Sequence, residues 1–115
     1  MLFRSARFVS DTVAALGLTN ITVLPDRAEA WLEENAVDLV TARAFAPMER
    51  AIPLLMPALR HKTRVLLYKG PDVEAEIAVA VYEIKRRKVQ VTVVERYNLP
   101  DEMGVRTLVE VVSIG

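Results

Sequence analysis

The 115 residues predict an α/β fold with a mainly parallel sheet, closed by an antiparallel hairpin at its C-terminal end. Three observations carry that expectation. Short β-branched runs alternate with amphipathic segments between residues 6 and 88. Val65, Leu66 and Leu67 make an unbroken apolar run, as in a strand covered on both faces by helices. The last two strand-like runs leave no room for a helix between them, so they must pair with each other.

In chain order, residues 6–16 have helical spacing, with Phe8, Val9, Val13 and Leu16 on one side. Gly17 then stands where a left-handed cap is expected. The run "ITVLP", residues 21–25, is β-branched and stopped by proline, and reads as a strand. Asp26 suits the N-cap of a helix over residues 27–34. A strand over 37–42 leads to a helix over 47–59, with Pro47 in its first turn and Pro53 and Pro57 weakening or kinking it. Residues 64–70, "RVLLYKG", form the next strand. Asp72 can cap a helix over 73–88, whose apolar stripe includes Ile77, Val81 and Ile84. Residues 90–100 alternate as a strand, and 105–114 supply its hairpin partner.

The length fits one domain over residues 1–115. Lys plus Arg and Asp plus Glu each number 15, so no global field draws the chain to nucleic acid or membrane, and such binding needs a local patch. With no cysteine, disulfides and thiolate chemistry are excluded, which suits a reducing cytosol. No apolar run approaches a membrane span, and "MLFRSARFVSD" has no signal-peptide core, so a cytoplasmic protein is expected.

The segments "RFVSDTVAALGLTNITVLPDRAEAW", "VDLVTARAFAP", "RVLLYKG" and "YNLP" followed by "VRTLV" resemble, in order and spacing, the glucose-inhibited division protein B family. Its members are small-subunit rRNA guanine-N7 methyltransferases of class I, dependent on S-adenosylmethionine. The similarity runs from about residue 4 to residue 114 and implies a C-terminal portion of that fold, with the first two strands missing. The glycine-rich cofactor loop and the ribose-gripping acidic residue belong to the part not represented. The four glycines, Gly17, Gly70, Gly104 and Gly115, are too far apart to rebuild such a loop.

The resemblance assigns roles residue by residue. Arg43 falls beside the cofactor and the target guanine, as the catalytic and cofactor-binding candidate; Ala28 and Glu29 fall at the adenine ring. Lys69 and Arg106 fall toward the RNA. Thr107 stands where the family has histidine, and "RHKTR", residues 60–64, replaces a proline-glycine-glycine turn. Guanine N7 is already nucleophilic, so the implied reaction asks for placement more than for acid or base.

Each candidate also has a plainer reading. Arg43 ends a strand, where doubly wound sheets bind ligands, yet it can simply pair with Asp38 or Glu49. Glu29 suits a helix N-terminus, and Lys69 can be a solvated strand end. His61 sits among cations and reads as neither metal ligand nor base, so no metal is expected. The run "KRRK", residues 85–88, offers phosphates a patch or merely complements a helix C-terminus. Trp31, Tyr68, Tyr82 and Tyr97 are too scattered in sequence to read as a stacking platform.

Without the neighbour that a class I sheet supplies, the strand over 37–42 has an open edge. Either "ITVLP" pairs there directly or two copies meet as a homo-oligomer. Three functions therefore compete: a methyltransferase portion inactive as an isolated chain, a non-enzymatic α/β remnant acting as an oligomeric interaction module, and an RNA-binding adaptor.

Overall fold

Gly17 ends the first helix, α1 (Leu2–Ala15), as its position predicts. It adopts φ +66°, and the N–H groups of Gly17 and Leu18 bond back to Ala14 and Val13, the Schellman pattern. The computed structural model describes residues 2–24, 27–43 and 46–115, with side chains from residue 6. The proposed Asp26 cap lies outside the described residues. The next helix, α2 (Ala28–Glu34), has Arg27 at its N-cap position.

The strands are β1 (Leu39–Arg43), β2 (Arg64–Lys69), β3 (Val89–Asn98) and β4 (Val105–Ser113). Between them lie α3 (Met48–Arg60), α4 (Val73–Val79) and α5 (Val81–Arg87). The sheet order is β1-β2-β4-β3. β1 and β2 are parallel, and β4 is antiparallel to both of its neighbours. β1, β2 and β3 therefore run one way, with β4 inserted against them.

Residues 21–24 join no ladder, which corrects the strand read from "ITVLP". A β-branched run becomes a strand only when another strand meets its N–H and C=O groups. β1 pairs with β2 alone among the described residues, so direct pairing with "ITVLP" is not seen and the outer edge of β1 stays open.

α3 continues through Pro53 and Pro57, because its buried face outweighs two missing donors. That face is Met48, Ala51, Ile52, Leu55, Ala58 and Leu59, against Val65 and Leu67 of β2 and Val109 and Val111 of β4. The helix ends at His61 with Lys62 at φ 63°, a position glycine usually takes. The single helix expected over 73–88 is instead two. At the bend Ala80 is fully buried and its N–H is shared between Glu76 and Ile77, and both halves keep contact with α3. Asp72 occupies the N-cap position of α4, but its side chain makes no capping hydrogen bond.

α3, α4 and α5 all lie on one face of the sheet. Among the described residues no helix packs on the other face, against the expectation of two covered faces, because α2 packs on α3 and α1 makes no extensive contact with the sheet. Leu39 and Tyr68 are consequently 47% and 40% exposed, and Leu66 and Leu108 half-buried.

A bulge shapes the end of β3. Val91 and Val93 point to the helices opposite Val111 and Val109, and the register then shifts so that Glu95 lies opposite Leu108 and Tyr97 opposite Arg106. The extra residue, Val94, inverts the alternation beyond it. Tyr97 thereby leaves the helix-covered face for the open one.

Candidate functional site

Arg43 ends β1, and beside it Lys69 ends β2, the parallel pair whose carboxyl ends a doubly wound sheet uses for ligands. Between these ends, the start of α3, the end of β3 and the start of β4 lies a cleft of about 1070 Å³. It gathers Arg43, Lys69 and Arg106, three of the five residues singled out in the sequence. Ala28 and Glu29 do not line it; they open α2, and Glu29 lies 3.7 Å from the exposed Arg27. Thr107 is fully buried and donates its hydroxyl to the Gly70 carbonyl at 3.0 Å, tying β4 to the end of β2.

Arg43 is exposed and has no carboxylate within 4 Å among the described residues, so the pairing with Asp38 or Glu49 is not seen. Arg106 sits half-buried with one guanidinium nitrogen 3.1 Å from the Val105 carbonyl. Gly104, at φ +106°, lets the backbone turn into β4 directly beside that guanidinium.

Lys69 differs from a solvated strand end. Its side chain is 11% exposed, and its ammonium donates to the Ala46 carbonyl at 2.5 Å and to Glu76 Oε1 at 2.9 Å. The same Glu76 oxygen accepts the Met48 N–H at 2.8 Å, capping α3 from a residue 28 positions away. Pro47 precedes that N–H and has no side chain to cap it. The ammonium thus spends two of its three donors on fixing the cleft wall.

Arg50, in the first turns of α3, is the cation that sequence reasoning missed. Its signal was present: a helix that starts just after a strand's carboxyl end points its first turn across the same cleft. Four cations and one carboxylate, Glu76, therefore line the cleft in a chain of zero net charge. This is the local patch that composition alone left unspecified.

The other basic cluster lies elsewhere. Arg86 and Arg87 turn back onto Glu83 at 3.4 and 3.0 Å, at the start of β3 and so at the opposite end from the cleft. Lys62 meets Gly115 at that same end. Arg64, paired with Glu110, lies there too.

A parallel strand pair, an antiparallel last strand slotted between β2 and β3, and a basic cleft at the carboxyl ends define the closing part of a class I methyltransferase sheet. The chain belongs to the GidB family, whose model, described as rRNA small subunit methyltransferase G, matches residues 2–105. It is 55% identical over 108 residues to the ribosomal RNA small subunit methyltransferase G of Solibacter usitatus, covering 94% of this chain and 51% of that protein. The Thermotoga petrophila protein of the same description is 34% identical over 98 residues, covering 84% of this chain and 43% of its own length. The one from Thermobifida fusca is 37% identical over 87 residues, covering 76% and 37%. The chain spans about half the length of the curated relatives it matches, and the family resemblance read in the sequence is borne out.

Proposed function

We propose that these residues form the RNA-facing part of a cytoplasmic, S-adenosylmethionine-dependent rRNA guanine-N7 methyltransferase. The observation that carries this reading is the convergence of Arg43, Arg50 and Arg106 on one cleft at the strand ends of a GidB-family chain. A guanidinium presents a planar fork of donors to phosphate oxygens or to the O6 and N7 edge of guanine. Arg43, nearest the parallel strand ends, is assigned to the target base, and Arg50 and Arg106 to phosphates.

The residues present do not fit the cofactor by themselves. Gly70 is the one glycine lining the cleft, and no second glycine lies near it in sequence to let a loop close on a nucleotide. Ala28 and Glu29, the adenine candidates, stand outside the cleft. No methyl-transfer step is therefore assigned to these 115 residues, and the isolated chain is expected to hold RNA without catalysis. Lys69 acts here by fixing the ends of β2 and α3, and so supports the RNA candidates without contacting RNA itself.

The test is binding of a fluorescently labelled small-subunit rRNA fragment across a salt series. The two phosphate contacts assigned to Arg50 and Arg106 predict a log–log slope of about −1.4. A slope near zero, or no binding, would remove the reading. A second copy along β1 is the alternative partner, favoured by its open edge and by Leu39, which is 47% exposed. Sedimentation velocity tests it: a dimer that Leu39→Lys dissolves supports that contact, and a monomer at high micromolar concentration excludes it.

A further inference from the structure

Tyr68 and Tyr97 are separated by the whole of α4, α5 and most of β3, yet they line the same two spaces: the main cleft and a side recess of about 350 Å³ that they share with Thr41 and Arg43. Their arrangement follows from register. Arg43 lies opposite Tyr68, Tyr68 opposite Leu108, and Tyr97 opposite Arg106, two residues before Leu108 in β4. Residues directly opposite share a face, so all five sit on the open side of the sheet. The tyrosines are two strand spacings apart, about 10 Å across the sheet.

Both rings remain 40% and 37% exposed, with no helix over them among the described residues. Without the bulge at Val94, Tyr97 would face the helices. The bulge turns it to the cleft side and leaves its neighbour Arg96 to pair with Glu74 of α4. Each tyrosine also stands directly opposite an arginine, so a π-face and a cation are offered together at two points.

We propose that Tyr68 and Tyr97 form a stacking platform for unpaired bases of the RNA, on the open sheet face adjoining the arginine-lined cleft. Exposed aromatic rings on an uncovered sheet, bordered by cations, match the chemistry of single-stranded RNA: the rings take the base faces and the guanidinium groups take the backbone. Duplex RNA cannot use such a platform, because its bases are already stacked. The inference deepens the RNA-binding reading above and rests on it.

The test uses the 115-residue chain and two labelled probes, a guanine-containing unstructured pentaribonucleotide and its counterpart with two central abasic sites. Wild type is expected to bind the base-bearing probe roughly tenfold more tightly, and Tyr68→Leu or Tyr97→Leu to erase most of that preference. Affinity for the abasic probe and the salt slope stay unchanged, because the arginines remain. Tyr68→Phe and Tyr97→Phe keep the ring and retain binding. Equal affinity of wild type for both probes overturns the platform while leaving the arginine cleft standing. So do leucine variants that bind like wild type, or that lose both probes alike. Absence of salt-dependent binding to either probe overturns the RNA reading and the platform together.

Discussion

Glu76→Ala is expected to lower unfolding stability by about 2–4 kcal/mol, a large fraction of the roughly 5–15 kcal/mol that a domain usually has in reserve. Two groups lose their partner at once. The Lys69 ammonium, 11% exposed, is left with the Ala46 carbonyl and no counter-charge. The Met48 N–H, at the start of α3, is left without an acceptor. Breaking a buried pair by deleting one member costs about 3–5 kcal/mol, and the 27% exposure of the Glu76 side chain places this case somewhat lower. Glu76→Gln keeps an amide oxygen for Met48 and loses only the charge, so it should fall between wild type and alanine. Lys69→Met removes the ammonium itself and leaves the Met48 cap intact, so it should do less harm than Glu76→Ala. Combined with Glu76→Ala it should add less than its own single effect, because the stranded cation is gone. Urea unfolding of the four variants checks this order. A Glu76→Ala protein within about 0.5 kcal/mol of wild type would show that the bonds from Glu76 to Lys69 and Met48 do not hold the cleft.

The double variant Arg43→Ala/Arg106→Ala is expected to weaken rRNA-fragment binding by roughly a hundredfold at low salt. Each arginine accounts for a charge-assisted hydrogen bond, Arg43 to the base edge and Arg106 to a phosphate, worth about 1.5 kcal/mol or more. The log–log salt slope should shrink by about 0.7, for the one phosphate that Arg106 no longer neutralises, while the loss of the Arg43 base contact persists at high salt. Arg43 is exposed and Arg106 half-buried, each at the end of a strand, so the fold should tolerate both changes. The informative control is Arg86→Ala/Arg87→Ala at the far end of β3. Those arginines already turn onto Glu83 and lie away from the cleft, so their removal should alter affinity by no more than about twofold. If the two double variants behaved alike, binding would be diffuse and the cleft would have no special part in it.

What the sequence disclosed was mostly local. Gly17 takes the left-handed cap, the hairpin of β3 and β4 forms where no helix fits, and Arg43 lines the cleft from the end of its strand. Each of these follows from the chemistry of a few neighbouring residues. What stayed hidden depends on partners distant in the chain. The run "ITVLP" has the composition of a strand, but a ladder needs a second strand, and none reaches it among the described residues. Lys69 resembles a solvated lysine until Glu76 arrives on α4 and ties it to Met48. Tyr97 shares the parity of Val89, Val91 and Val93 in sequence, so alternation assigns it to the covered face. One inserted residue reverses that assignment and brings it to the side of Tyr68. The tyrosines look scattered along the chain because their meeting depends on β4 entering between β2 and β3.

The separation of an RNA grip from a cofactor grip is the claim on which the account turns. Calorimetric titration of S-adenosylhomocysteine into the 115-residue chain tests it most directly, after rRNA-fragment binding has shown the protein to be folded and competent. No saturable heat is expected at micromolar ligand. A saturable isotherm with one site per chain at micromolar concentration would contradict it, because the cofactor cradle would then lie within these residues.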